Sequence, residues 1–123
     1  MNDGTALTIP RSLANALLAD AQGHGGAHGL VGARKGRPTS LYPCAGPAGE
    51  EAILALLRDR GEQLFAGYRL LPESRSTPAA ADWAGLEDAA WLLVLSTDTR
   101  GVLALRAFAR DGRREVNLVL SSG

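Results

Sequence analysis

The run from Gln63 to Asp82 constrains the fold of this chain more than any other stretch. Its first part, Gln63 to Leu71, is apolar and predicts a strand, on which alternate residues face the same way. The residues predicted to share that face are Phe65, Gly67, Arg69 and Leu71. Pro72 and Pro78 then bound a loop, and a helix is predicted over residues 80–90. A strand that leads through a proline loop into a helix is typical of a sheet with helices packed on it.

Hydrophobic periodicity and turn residues predict the remaining elements. Strands are predicted at residues 6–9, 28–34, 39–44, 91–95, 102–108 and 115–120, and helices at 11–22 and 50–60. Pro10 suits the first turn of the first helix, because its φ is fixed and it has no N–H to leave unpaired. Gly61 suits the residue just past the second helix. This order predicts one α/β domain over residues 1–123, with a mixed sheet flanked by helices.

Charge and composition exclude several classes of function. The chain has 13 Lys plus Arg and 13 Asp plus Glu, so its formal net charge is zero. Nucleic-acid or anionic-membrane binding calls for a basic surplus, so we expect neither partner. A single cysteine excludes an internal disulfide framework and suits a reducing compartment. Since there is neither a signal-like start nor an apolar run near the roughly 20 residues that span a bilayer, we expect a cytoplasmic protein.

The central run also carries a resemblance to a known family. Arg69-x-Leu71-Pro72, six residues, Ala79, two residues, Asp82 is similar to the His-x-His-Pro and Ser-x-x-Asp segments of the JAMM (MPN-domain, Mov34-like) zinc metalloproteases. Gly29-Leu30-Val31 is similar to the Gly-Leu-Leu that follows the glutamate of that family. The resemblance covers nearly the whole chain. It implies a bacterial member with a cytidine-deaminase-like fold, in which a mixed sheet is flanked by helices.

The same resemblance implies that the family's chemistry is lost. The two histidine ligands of the catalytic zinc fall on Arg69 and Leu71, neither of which offers a lone pair. The general-base glutamate falls on Gly26, and the serine that helps to stabilise the oxyanion falls on Ala79. Only the aspartate ligand is retained, as Asp82. We therefore expect a pseudoenzyme that is not a JAMM hydrolase, with no metal and no other cofactor.

Two arrangements of the degenerate site follow from its charges. Arg69 pairs with Asp82, which would place a cation where the metal was. Alternatively, Asp82 caps the helix that follows it while Arg69 points to solvent, and the two arrangements are compatible. The surrounding pocket is predicted to include Tyr68, Glu73 and Ser74.

Two functions remain open. The first is a protein-interaction or scaffold module, which the resemblance ties to ubiquitin-like sulfur-carrier proteins. Its implied partners are a second copy in a homodimer, an active JAMM relative, or the tail of a carrier. The alternative is a small-ligand binder or non-zinc enzyme that reuses the emptied pocket, with Arg69 recognising a carboxylate or phosphate and Glu73, Ser74 or Arg75 nearby.

Three further residues, His24, His28 and Cys44, are candidates for a functional site. His24 and His28 lie in a glycine-rich segment, which favours a polar loop over a shared metal site. Cys44 has no histidine at a diagnostic spacing, which predicts a buried or half-buried thiol.

Overall fold

The computed structural model describes residues 6–23, 28–44, 49–71, 77–83, 86, 89–97, 101–110 and 114–122. These residues form seven strands and two α-helices. The strands are β1 (Ala6–Pro10), β2 (His28–Arg34), β3 (Arg37–Cys44), β4 (Gln63–Leu70), β5 (Trp91–Thr97), β6 (Leu103–Ala109) and β7 (Glu115–Ser121). The helices are α1 (Arg11–Gly23) and α2 (Gly49–Asp59). In these described parts, neither helix has the length and apolar character needed to cross a membrane.

All seven strands belong to one mixed sheet, in the order β1-β7-β6-β5-β4-β2-β3. The β1/β7 and β4/β5 pairs are parallel, and the other neighbours are antiparallel. The sheet curls, so that its two edge strands, β1 and β3, contact each other as well as α1. The predicted α/β architecture, a mixed sheet with packed helices, is confirmed.

Each face of the sheet carries its own apolar layer. On one face the buried side of α1, centred on Leu17, packs with Ile9, Val31 and Tyr68. On the other, Leu57 of α2 packs with residues of β2, β4 and β5. Because successive strand residues face opposite ways, a strand covered on both faces reads as a continuous apolar run. This is the pattern of β5, whose central five residues are all buried.

The β2–β3 hairpin turns more tightly than predicted. Lys35 and Gly36 both have positive φ, at 52° and 78°, which is the conformation of a two-residue type I′ turn. The predicted four-residue turn, Lys35 to Pro38, is therefore wrong, and β3 already begins at Arg37. Thr39 is left without a register partner, because Ala33 pairs with Pro38 and Gly32 with Ser40. This one-residue bulge reverses which later residues of β3 face each side of the sheet.

A second bulge corrects the predicted face of β4. Val31 of β2 pairs with Ala66 and Gly32 with Leu64, so Phe65 is the extra residue. Phe65 consequently packs on the α1 side, whereas Gly67 approaches Leu86 and Leu71 lies in the α2-side core. The prediction that Phe65 shares a face with Gly67, Arg69 and Leu71 is wrong, because the bulge breaks the period of two between them.

Helix α2 ends in a Schellman motif. The Gly61 N–H donates to Arg58 O at 3.0 Å, the Glu62 N–H donates to Leu57 O at 3.1 Å, and Gly61 has φ of 79°. The predicted role of Gly61 is confirmed. The motif turns Glu62 back under the sheet, where it is only 5% exposed.

Glu62 and the three hydroxyl groups that bind it form the Glu62 cluster. Its carboxylate accepts hydrogen bonds from Ser40 at 2.7 Å, from Thr39 at 3.2 Å and from Tyr42. Burial opposes ionisation, but the three hydroxyl bonds together with the nearby positive charge of Arg34 outweigh it and lower the pKa of Glu62. All three donors come from β3, one at its bulge and two beyond it, so the cluster stabilises the bulged register.

The helix predicted over residues 80–90 differs from what the described residues of this range show. A 3-10 helix covers Ala80–Trp83. Two three-residue steps follow it, because the Leu86 N–H donates to Trp83 O and the Ala89 N–H donates to Leu86 O. Trp83, Leu86 and Ala89 are all buried. The α-helix predicted from Ala80 is therefore wrong at residues 80–83, where the structure has a 3-10 helix.

Candidate functional site

Four polar side chains meet at one end of the sheet, and we call them the polar cluster: His28, Cys44, Glu50 and Arg69. His28 opens β2 and pairs directly with Cys44 of β3 on one side and with Arg69 of β4 on the other. Directly paired residues project to the same face of a sheet. Glu50, the second residue of α2, reaches this face from the adjacent helix.

Glu50 is the centre of the polar cluster. Its Oε2 lies 2.8 Å from Arg69 Nη1 and 3.0 Å from His28 Nδ1, and Arg69 Nη2 donates to Oε1 at 3.3 Å. Arg69 Nη1 also donates to Tyr68 O at 2.9 Å. The guanidinium is therefore held in a two-pronged pair with the carboxylate. The charge of Glu50 is further favoured by its place in the first turn of a helix.

The polar cluster is partly exposed to solvent. The side chains of His28, Glu50 and Arg69 are 20%, 16% and 14% exposed. Cys44 is half-buried, as predicted. Burial, and then the negative charge of Glu50, raise the pKa of the Cys44 thiol from 9.0 to about 11, against the lowering effect of Arg69. The thiol is thus protonated at neutral pH in the metal-free protein.

That pKa predicts the reactivity of the thiol. At pH 8, folded protein should react with iodoacetamide more slowly than unfolded chain, by roughly tenfold or more, because the rise in pKa from 9.0 to about 11 lowers the thiolate fraction more than the greater nucleophilicity of the thiolate offsets. The rate should still be rising above pH 10. Glu50→Gln should accelerate the reaction and Arg69→Gln should slow it, because the two charges act on the thiolate with opposite sign. Mass spectrometry of modified Cys44 against time and pH measures this, and a rate that levels off near pH 9 would contradict it.

Tyr68 lies on the opposite face of β4 from its neighbour Arg69. It is fully buried in the α1-side core, where its hydroxyl donates to Asp20 Oδ2 at 2.7 Å. Burial and the bond to Asp20 raise the pKa of the Tyr68 hydroxyl above its usual range. The predicted pocket that combined Tyr68 with Arg69 is corrected, because adjacent strand residues project to opposite sides of a sheet.

The other described positions of the zinc-protease resemblance make contacts of their own. Leu71 is 4% exposed and packs in the α2-side core with Trp83. Asp82 Oδ2 accepts a hydrogen bond from the Ala79 N–H at 2.7 Å, and the Asp82 N–H donates to Ala79 O at 3.0 Å. Ala79 and Asp82 therefore bind each other across the 3-10 turn.

The contacts of Arg69 differ from both predicted arrangements. Arg69 takes Glu50 as its carboxylate partner rather than the proposed Asp82. Its low exposure also contradicts the alternative in which it points to solvent. Asp82 accepts a hydrogen bond from the amide of Ala79, which precedes it in the chain, and part of the helix that it was predicted to cap lies outside the described residues. Gly26, Glu73 and Ser74 were also predicted for the site, but these residues lie outside the described ranges, as do His24 and Arg75.

Glu50 is the functional candidate that the sequence did not indicate. The sequence predicted only that Glu50 begins a helix, and an acidic residue in the first turn of a helix is common. The sequence also did not predict that His28 pairs with Cys44. With a two-residue turn at Lys35 and Gly36 and no bulge, His28 would face Pro43, and Cys44 would project to the other side of the sheet.

A cleft of about 290 Å³ lies near the end of α2, lined by Arg58, Glu62, Gln63 and Leu64. None of these residues belongs to the polar cluster. The Glu62 carboxylate in this cleft accepts hydrogen bonds from its three hydroxyl donors.

Solved structures of other proteins share this fold. The solution structure of protein DSY2949 from Desulfitobacterium hafniense is similar to 97% of this chain over 94% of its own length, with a TM-score of 0.66 and 20% identity. The solution structure of a protein from Salinibacter ruber matches 93% of this chain and 90% of its own, with a TM-score of 0.58 and 18% identity. No family model and no curated protein matches the chain.

Proposed function

We propose that this chain is a JAMM/MPN-like domain that works through protein contacts and has no JAMM-type hydrolytic activity. The observation that supports the proposal is the state of the two histidine positions. Arg69 is a cation engaged by Glu50 and by Tyr68 O, and Leu71 is a core residue. The family's zinc ligand set does not fit these residues, since neither side chain offers a lone pair to the ion.

The anion-binding alternative has less support. To recognise a carboxylate or phosphate, Arg69 must give up its two-pronged contact with Glu50, which is itself a carboxylate. An incoming anion would also meet the negative charge that Glu50 retains. Arg69 is therefore better explained as a partner of Glu50 than as a ligand-recognition residue.

The proposed interaction has three candidate partners, all taken from the resemblance: a second copy, an active JAMM relative and the tail of a ubiquitin-like carrier. The surface of the described residues offers apolar side chains for such contacts. Val119 of β7 is 47% exposed and Val102, just before β6, is 57% exposed. Exposed valines of this kind are ordinary when single, so they are candidates for substitution in the test.

Two measurements test the proposal. The first is a cleavage assay with zinc-supplemented protein, using an isopeptide-linked substrate and a carrier protein extended beyond Gly-Gly. We expect no turnover above the buffer rate. The second combines sedimentation of the protein alone with calorimetric titration of a Gly-Gly-terminated carrier, and we expect self-association or carrier binding. Zinc-dependent cleavage would refute the loss of activity, and a monomer that binds neither the carrier nor an active JAMM relative would refute the interaction role.

A further inference from the structure

We propose that His28, Cys44 and Glu50 form a binding site for a zinc-class transition-metal ion, with one coordination position left to solvent. This inference stands apart from the proposed interaction role and departs from our sequence-based expectation of a metal-free domain. It uses none of the positions that the zinc-protease resemblance assigns to the ion.

Geometry is the first support for the metal site. One ligand atom from each of the three side chains lies within 4.8 Å of the other two. A tetrahedral zinc ion would hold such nitrogen, oxygen and sulfur atoms roughly 3.3–3.6 Å apart. His28 Nδ1 and Glu50 Oε2 are already 3.0 Å apart, so rotation of side chains can close the site. Two of the ligands come from paired strands and the third from a helix terminus, so ordered backbone holds all three.

The chemistry of the donors is the second support. An imidazole, a thiolate and a carboxylate are the three ligand types that zinc takes in proteins. The thiolate and the carboxylate together neutralise the charge of a divalent ion, and the proton of the Cys44 thiol passes to solvent. Three protein ligands with a free fourth position is the arrangement of an open site rather than a closed structural one. The partial exposure of His28 and Glu50 provides a route for the ion and for the water.

Arg69 sets how tightly the ion binds. Without metal, its guanidinium occupies both oxygens of Glu50. A carboxylate has about four lone-pair positions, so Oε1 can keep Arg69 while Oε2 turns to the ion. Arg69 remains close in either state because it is also anchored to Tyr68 O. Its positive charge opposes the ion, and its hydrogen bond orients the ligand, as outer partners of metal sites do. Removing this charge should therefore strengthen binding.

Titration of reduced, tag-free protein with Co²⁺ tests the site. Because Cys44 is the single cysteine, any thiolate-to-cobalt charge-transfer band in the near ultraviolet reports that residue. We expect this band to saturate at one ion per chain, together with the intense visible absorption of a four- or five-coordinate ion. Zn²⁺ should then remove both, because it binds such sites more tightly than Co²⁺. The unmodified protein is enough for this measurement, so it does not depend on any variant folding.

Variants then assign the ligands. Cys44→Ser should abolish the charge-transfer band, and Glu50→Gln and His28→Gln should each weaken Co²⁺ binding at least about tenfold. Arg69→Gln should strengthen it about threefold or more, since a nearby like charge is lost. His24→Gln is the matched control, as it removes the other histidine of the chain, and it should leave the titration unchanged. Circular dichroism of each variant verifies its fold.

Several results would overturn the site. Absence of the charge-transfer band in the unmodified protein at saturating Co²⁺ is one. Saturation at one ion per two chains is another, because it would place Cys44 in a site shared between copies. Equal affinity of the Arg69→Gln variant, or a loss of binding caused by His24→Gln, would refute the arrangement around Glu50.

Discussion

Replacing Glu62 with alanine should lower the free energy of unfolding by about 3 kcal/mol. The substitution removes the acceptor of three hydroxyl groups, on Thr39, Ser40 and Tyr42. The Tyr42 side chain is 7% exposed, so its hydroxyl would be left buried without its partner, and a buried unpaired polar group is costly. Urea denaturation followed by circular dichroism measures the loss.

The matched control for Glu62 is Glu51→Ala, because Glu51 is an exposed glutamate on the adjacent helix. That change should cost less than about 1 kcal/mol. Tyr42→Phe removes the donor in place of the acceptor, and combining it with Glu62→Ala should give less than the sum of the two losses. Equal effects of Glu62→Ala and Glu51→Ala would show that the Glu62 cluster does not stabilise the fold.

Because the pKa of Glu62 is lowered in the folded chain, the free energy of unfolding should depend on pH. The folded chain holds this carboxylate in its charged form more strongly than the unfolded chain, whose value is 4.5. The resulting stabilisation is present above about pH 4.5 and is lost as the pH falls through the lower pKa of the folded state. Glu62→Gln should flatten this part of the stability curve, whereas Glu51→Gln should not.

Replacing Gly29 with alanine should cost about 3 kcal/mol and lower the melting temperature by roughly 10 °C. A Cβ at this position would overlap the carbonyl oxygen of Tyr42 and lie within 2.7 and 2.8 Å of the Tyr68 ring and hydroxyl. The first of these is backbone of the neighbouring strand β3, so relief requires β2 and β3 to separate. The second is a fully buried side chain bound to Asp20.

Gly23→Ala is the control for this glycine. A Cβ there meets nothing within 4 Å, and alanine is the better helix former at the end of α1. Its stability should be unchanged or slightly higher. Thermal denaturation compares the two variants, and a Gly29→Ala protein as stable as Gly23→Ala would contradict the close packing of β2, β3 and Tyr68. The glycine that the resemblance aligned with the family's Gly-Leu-Leu thus has a steric reason in this fold.

The sequence predicted the type of nearly every element, because most signals were local. Pro10 is the last residue of β1 and directly precedes α1 rather than lying in its first turn, Gly61 ends α2, and the apolar run of β5 marks a strand buried on both faces. The segment after Pro78 was the exception. Its alanine-rich composition favours an α-helix, whereas Ala80–Trp83 form a 3-10 helix and Trp83, Leu86 and Ala89 are buried in the α2-side core. Tertiary packing overrode local propensity there.

Local order along the chain was thus determined by the sequence alone: the strands, the two helices, and the strand that carries Arg69. The assembly of the polar cluster was decided by tertiary structure. Single-residue bulges at Thr39 and Phe65 set which side of the sheet each strand end faces. They place Cys44 and Arg69 beside His28, and the packing of α2 adds Glu50. A shift of one residue in register moves a side chain to the other face of the sheet. The periodicity of a single strand does not predict such a shift, because it depends on how the neighbouring strands pair.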